Sequence, residues 1–410
     1  MIRLNPNIPF KTRGNGAVAL RLYLRDENSI VLIKSIIEET LEKYLLLSGK
    51  TSPAVVIHRG TVGSSYRYVY LKALHDIVLS SVAKEIVKKN DDLVIMVNKG
   101  RGIIGAVAAI GAYPLVNFTY ELIVYREFQD RSRMRGIDKN SVLEFDRIHR
   151  PETFGNYDFK HRRVLITPHG PDPVLVGVRS CNLEELLSAL KVIRVIDGKS
   201  IGEFEWIIFR TNQGTDAHLK RSKDNSKSYK AVSIVGWLKE KPRIIKGGHV
   251  VFNLVTPRST VITCVSYRET GRLRNVLRLL KPGDEIEVKG GIKPWTGGVN
   301  LNVEKVRVLR SQKHVLLLNP LCPKCGKRMK SRGRGKGFKC PACGFSLDLS
   351  SKEVRQLERI VMPGLFMSDP LAYRHLTKPV RLYGRRFKDR HRLMVMSSIL
   401  IGYGEESQDI

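Results

Sequence analysis

The sequence predicts a multidomain α+β protein that includes a β-barrel and a metal-held knuckle, and three observations carry that prediction. Apolar residues recur at helical spacing early in the chain and then switch to strand spacing after Phe118. Five short strands, interrupted once by a helical stretch, follow from Tyr229 to Leu309. Two C-x-x-C pairs, Cys322/Cys325 and Cys340/Cys343, stand fourteen residues apart.

In order, KTRGNGAVALRLYL begins as a basic glycine turn and runs into a strand alternating to Leu24. Ser29–Leu47 and Leu71–Lys88 repeat as amphipathic helices, with a short strand Ala54–His58 between them. NKGRGIIGAVAAIGA, Asn98 to Ala112, reads as a glycine loop feeding a small-residue helix. FTYELIVYR, VLITP, PVLVGVRS and EWIIFRTN are strands, with a helix over Asn182–Ile193, so residues 114–213 make a second α+β domain. Residues 214–228 are polar and basic without apolar period, which predicts a linker. The strands YKAVSIVGWL, GGHVVFNLV, STVITCVSY, DEIEVKGGI and VNLNVEKVRVL follow, with Leu273–Leu280 helical between the third and fourth. That order is expected of an OB barrel over 229–310. The knuckle occupies 316–347, and a basic tail, 348–410, includes the run Arg385 to Arg392.

Charge and cysteines narrow the chemistry. Lys plus Arg number 71 against 39 Asp plus Glu, a formal +32, which calls for a polyanionic partner. Four thiolates, Cys322, Cys325, Cys340 and Cys343, at knuckle spacing suit a closed tetrahedral Zn²⁺ site, which is structural. Lys324 to Lys339 carries eight Lys or Arg and no acid, and Arg332, Arg334 and Lys336 alternate with glycines as phosphate contacts. Cys181 and Cys264 stand alone and read as buried spectators. Gly102–Val116 and Leu393–Tyr403 fall short of the roughly 20 apolar residues of a membrane span, and no signal peptide is evident, so a cytoplasmic protein is expected.

Two glycine turns are candidates for a polyphosphate. In the first, Lys11, Arg13, Gly14 and Gly16 combine cations with open backbone; in the second, Lys99, Gly100, Arg101, Gly102 and Gly105 precede a helix whose positive end points at the loop. The second is no Walker sequence, and a plain glycine-packed start to the helix fits it equally well. Glu121, Asp146, Asp158, Asp172 and Asp216 are scattered singly; Asp216, near Thr211, Asn212, Thr215 and His218, is the best placed, with a turn acid as the alternative. Arg268, Arg272, Arg274 and Arg278 along YRETGRLRNVLRLL offer phosphate contacts or a solvated face. His249 reads as a barrel side chain, and Trp295 as a base-stacking residue or a cover over the barrel mouth.

LNPNIPFKTRGNGAVAL, NKGRGIIGAVAAIGA, NFTYELIVYR, RTNQGTDAHL, YRETGRLRNVLRLLKPGDEIEV, NPLCPKCGKRMKSRGRGKGFKC and AYRHLTKPV, in register from residue 2 to about 381, resemble the archaeal tRNA(Ile) 2-agmatinylcytidine synthetases. The resemblance implies a kinase-like domain at 1–113, a ferredoxin-like domain at 114–213, an OB fold and a zinc ribbon. It implies an ATP- and Mg²⁺-dependent ligase that attaches agmatine to C2 of the wobble cytidine of a CAU anticodon, so that the tRNA reads AUA. Lys11, Arg13, Lys99, Arg101 and the glycines beside them would then meet ATP, and Glu121, Asp146 and Asp216 are the acids available for agmatine. The family opens with a GIDDTDS strand and a helix before LNPNIP, whereas this chain starts at that second point, so its first domain is expected to be N-terminally incomplete. A nonenzymatic tRNA or single-strand binder is the alternative from a different class.

Overall fold

The computed structural model describes residues 1–5, 16–24, 26–45, 52–126, 134–168, 170, 173–222, 228–295, 297–348, 352–384 and 401–402. Lys11, Arg13, Gly14, Asp172 and the basic run from Arg385 lie outside them.

Near the N-terminus a two-stranded sheet, Ala54–Ile57 with Leu93–Met96, packs with the helices Ser64–His75, Ser80–Lys89 and Ile103–Gly111 around Tyr66, Val69, Ala83, Val87, Ile103 and Val107. The single helix expected over Leu71–Lys88 is two. The chain is extended at Asp76 and Leu79, where the Asp76 carboxylate accepts from the Ile77 N–H, yet both helices present apolar residues to one core. Gly111 lies so close to Tyr66 that a Cβ would overlap the Tyr66 carbonyl, which fixes how these two helices cross. Helix Asn28–Tyr44 matches its amphipathic pattern but buries no residue.

A mixed sheet follows, in the order Ala17–Ala19, Ile2–Leu4, Trp206–Thr211, Thr119–Tyr125, Val174–Ser180, Thr153–Phe154. The N-terminal strand thus runs parallel beside a strand two hundred residues on, with Ile2 opposite Arg210 and Arg3 opposite Thr211. Ile401–Gly402 pairs with the other end of Trp206–Thr211. One face of the sheet, with Leu122, Val124, Val176 and Val178, packs on helices Lys139–Ile148 and Leu183–Val192. Successive strand residues alternate faces, so Glu121 and Arg179, directly opposite each other, project from the helix-free face. Of VLITP, only Val164 lies in a strand, Arg163–Val164.

The stretch expected to be a linker is folded as far as Ser222: Thr215 and His218 are buried, and Lys220–Arg221 pairs with Ala231–Leu238. Five strands close into a barrel: Ala231–Leu238 bonds both Val250–Val255 and Glu285–Trp295, Val250–Val255 bonds Val261–Ser266, and Gly298–Arg310 bridges Glu285–Trp295 and, in parallel, Val261–Ser266. Helix Arg272–Leu277 sits between the third and fourth strands, and Phe252, Leu254, Leu273, Ile286 and Val306 fill the interior. Part of the tail belongs to this body, since Gly364–Met367 pairs with Lys305–Val308. A two-stranded antiparallel ribbon, His314–Leu318 with Glu353–Leu357, flanks the knuckle on both sides in sequence. No helix among the described residues is long and apolar enough to cross a membrane.

Candidate functional site

In the knuckle the four Sγ atoms of Cys322, Cys325, Cys340 and Cys343 lie within 4.8 Å of one another. The closest pairs, Cys322–Cys343 at 3.5 Å and Cys325–Cys340 at 3.4 Å, are far beyond a disulfide of about 2.05 Å. They approach the edge, about 3.8 Å, of a tetrahedron built on Zn–S bonds of about 2.3 Å. The donor set therefore fits one zinc ion with no open position. Met329, Phe338, Phe345 and Leu347 pack beside the thiols. The hairpin beyond turns through Gly333, Gly335 and Gly337, with φ of 117°, 72° and 70°, a region costly for residues with a Cβ. Arg332 is tied to Asp348 at 2.9 Å, whereas Arg334 and Lys336 are exposed.

Around Lys99–Gly102 the backbone is less open than the sequence suggested. The Gly100 N–H donates to Val97 O, Arg101 N–H to Ser52 Oγ, Gly102 N–H to Ser52 O and Ile103 N–H to Gly100 O. Gly102 and Gly105 have packing reasons: a Cβ on Gly102 would stand 2.7 Å from Ala54 N, and one on Gly105 3.2 Å from the Ala17 Cβ. What the loop offers a ligand is the exposed side chains of Lys99 and Arg101. The Gly105–Ala17 contact sets the helix after Lys99–Gly102 against the strand that follows Gly16, while a Cβ built on Gly16 would lie 3.3 Å from Arg3 Nε, on the other face of that strand.

The nominated acids occupy three separate settings. Glu121, buried on the helix-free sheet face, pairs with Arg3 and, at 3.5 Å, with Arg179. Arg179 Nε donates to Gln213 Oε1 at 2.7 Å; burial lowers the Arg179 pKa while Glu121 opposes that shift. Asp146 accepts from Asn156 Nδ2 at 3.0 Å and lies 3.3 Å from Arg150; burial pushes its carboxyl above the ordinary value against those two partners. Asp158 caps the turn at Lys160 and His161.

Asp216, at φ 59°, binds Lys305 Nζ at 2.7 and 2.6 Å, the Lys378 N–H at 2.7 Å and the Tyr383 hydroxyl. Nearby, His218 Nε2 bonds Glu304 Oε2 at 2.9 Å, and Arg374 Nε reaches the other oxygen at 3.1 Å. Gly214 and Asp216 donate their N–H groups to His375 O and Leu376 O. Asn212 exchanges two hydrogen bonds with the Asn5 backbone. RTNQGTDAHL and AYRHLTKPV therefore form one junction between the mixed sheet, the barrel and the tail.

Sequence reasoning missed Arg3, Arg179, Gln213, Lys305 and Glu304. The available signal was a charge within an otherwise apolar strand, as Arg179 in VLVGVRS and Glu304 and Lys305 in VNLNVEKVRVL.

On the barrel, Arg268 and Arg272 are exposed, Arg272 being 3.6 Å from Asp369. Arg274 is half-buried and donates to Gly248 O at 2.8 Å, beside Arg268 and the His249–Tyr267 ring pair at 5.2 Å. His249 Nδ1 accepts the Arg268 N–H. Trp295 is exposed at the end of its strand.

Two family-domain models match the chain: the TiaS FLD domain over residues 100–218 and the TiaS C-terminal zinc ribbon domain over 319–361. The tRNA(Ile2) 2-agmatinylcytidine synthetase TiaS of Thermofilum pendens is 42% identical over 402 residues, 96% of this chain and 89% of that protein. The protein of that name from Pyrococcus horikoshii is 38% identical over 93% of this chain and 88% of its own length. Among solved structures, a TiaS–tRNA(Ile2)–ATP complex matches with a TM-score of 0.80 at 34% identity, covering 95% of this chain and 89% of that one. A TiaS–tRNA(Ile2)–AMPCPP–agmatine complex matches with 0.77 at 30%, covering 94% and 88%.

Proposed function

This chain belongs to the tRNA(Ile2) 2-agmatinylcytidine synthetase family, and from that premise we propose how its parts divide the work. It is an ATP-dependent ligase that forms a C–N bond between agmatine and the wobble cytidine of tRNA(Ile2). The observation that carries this is likeness along more than nine-tenths of the chain to a complex holding that tRNA, an ATP analogue and agmatine.

The N-terminal helices and their two-stranded sheet act as the kinase-like domain. Lys99 and Arg101 meet the ATP phosphates through side-chain charge, and Lys11, Arg13 and Gly14, which precede Gly16 in sequence, are nominated with them. A loose phosphoryl-transfer transition state gains mainly from such cations. ATP phosphorylates the C2 oxygen of cytosine; the agmatine amine then adds at C2, and the C–O bond breaks with its electron pair leaving on phosphate. Asp146 is the acid nominated for the agmatine guanidinium, which would compete there with Arg150 and Arg381 for the carboxylate. Among the described residues the four cysteines are the one cluster of three or more metal donors, and their thiolates suit zinc rather than Mg²⁺.

Residues 114–213 serve as a ferredoxin-like domain, and 229–310 as an OB fold, supported by the five-strand closure with its helix between strands three and four. Arg268, Arg272 and Arg274 on the barrel, with Arg332, Arg334 and Lys336 on the zinc ribbon, track tRNA phosphates. The experiment is to incubate the protein with ATP, agmatine and a CAU-anticodon tRNA(Ile2) transcript, then digest and weigh the nucleosides. Cytidine should gain the mass of agmatine less water only when both small substrates are present. Unmodified cytidine in the complete mixture would overturn the reading.

A further inference from the structure

At the opposite end of helix Ile103–Gly111 from Lys99 and Arg101, two exposed tyrosines accompany one arginine. The Arg21 guanidinium stands 4.6 Å from the Tyr113 ring centroid and 5.1 Å from that of Tyr23. The chain itself puts them there: Ala17 and Ala19 face the helix, and alternation carries Arg21 and Tyr23 onto the same side. Ala17 meets Gly105 early in the helix, and Arg21 meets Tyr113 just beyond its end. From the neighbouring helix Ser64–His75, Arg67 Nη1 donates to the Gly111 and Ala112 carbonyls at 3.3 and 3.4 Å, which fixes a second cation next to Tyr113.

Folding does not account for this arrangement. Tyr23 is 83% exposed and Tyr113 39%, so neither ring is spent on a core. Arg21 is exposed and has no carboxylate or hydrogen-bond partner among the described residues. The three segments concerned, Ala17–Leu24, Ser64–His75 and Ile103–Phe118, contain Arg21, Arg67 and Lys72 and no Asp or Glu. An acid-free surface with open ring faces complements a phosphate chain that carries unpaired bases. The bases stack on aromatic rings or guanidinium planes, and the cations take the phosphates.

We infer that Tyr23, Arg21 and Tyr113 form a stacking platform for an unpaired base of the tRNA. The inference rests on the ligase reading, which supplies the tRNA, and adds an RNA contact to the domain that handles ATP. Helix Ile103–Gly111, nine residues and about 13.5 Å long, separates the platform from Lys99 and Arg101. The base on the platform is therefore not the cytosine activated beside the ATP phosphates, but another unpaired base of the same tRNA, held while that cytosine reacts.

The test titrates tRNA(Ile2), and separately ATP, into wild-type protein and into Y23A, Y23F, Y23L, Y113A and R21Q, at several KCl concentrations and with an unfolding curve for each. Y23A and Y113A should each weaken tRNA about 5- to 150-fold, the loss of one stacked base, without changing the slope of log affinity against log salt. Y23F should bind as wild type does, whereas Y23L, which restores apolar bulk without a ring, should bind as Y23A does. R21Q should lower the salt slope by about 0.7, one single-strand phosphate. ATP affinity should be unchanged in all five. Transcripts with one abasic site at each unpaired position in turn identify the base, because the one lacking it should bind wild type and Y23A alike. Wild-type tRNA affinity in folded Y23A and Y113A overturns the inference, as does wild-type affinity in Y23L or a loss that falls on ATP alone. Variants that behave as expected in a protein that modifies no cytidine would leave the platform standing and overturn the ligase reading instead.

Discussion

Asp216→Asn separates a structural acid from a substrate-binding one. In the folded protein the Asp216 carboxylate accepts from Lys305 Nζ twice, from the Lys378 N–H and from Tyr383, and Lys305 is fully buried. Burial outweighs these partners and holds the Lys305 pKa below its ordinary value, so its ammonium depends on Asp216. Removing one member of a buried pair costs about 3–5 kcal/mol. Asparagine keeps one acceptor oxygen, which favours the lower end, about 3 kcal/mol, or roughly 100-fold in the opening equilibrium of the junction. Hydrogen exchange reads this locally: the Gly214 and Asp216 amides bond His375 O and Leu376 O, and the Lys378 amide bonds Asp216 itself. All three should exchange roughly 100-fold faster in D216N, by the same conversion. Adding K305M should recover most of the loss, since deleting both charges leaves no uncompensated ion. Unchanged exchange in D216N together with a raised KM for agmatine would refute this reasoning and return Asp216 to the substrate.

Acidification should destabilise the barrel and its junction. Burial pushes the Glu304 and Asp284 carboxyls up, but His218 and Arg374 around Glu304, and Arg359 with two backbone N–H groups around Asp284, outweigh it and hold both below their ordinary 4.5 and 3.8. A depressed folded-state pKa means stability that is present above the ordinary value and lost as pH falls through the folded one. Unfolding midpoints should therefore drop as pH falls below about 4.5, and less so in E304Q; a flat profile in wild type contradicts the assignment. On the knuckle, Arg334→Ala with Lys336→Ala should lower the slope of log tRNA affinity against log salt by about 1.4–1.8 if both touch phosphate. Arg332, already answered by Asp348, should add less, and C340S should release zinc and lose affinity as well. A wild-type slope in the double variant would make the hairpin a solvated surface.

What could be read in the sequence was local, and what could not was distant. The cysteine spacing places four thiols within reach of one ion, and period-two strands with a helix after the third place the barrel, because both patterns are complete within a few residues. The Leu71–Lys88 pattern misled because two helices on one core share a period across the extended break at Asp76–Leu79. Helix Lys139–Ile148 went unread because it buries only Val142 and Phe145 among its large apolar residues, although Asp138 caps it through the Asn140 and Ser141 N–H groups. Glycine spacing alone does not separate close approach to a phosphate from close approach to another strand, and Gly102 and Gly105 do the second. Nor does any period link Arg3 to Glu121 or Asp216 to Lys305, which are 118 and 89 residues apart.

A polar cluster such as RTNQGTDAHL therefore looks in sequence like a reacting site, whether its charges are spent inside the fold or held for a ligand. The distinction lies in how the charges balance. Asp216 is met in full by Lys305, Tyr383 and a backbone N–H, as a junction requires. The two arginines around Glu121 leave one positive charge over, on side chains that remain partly exposed between two glycines.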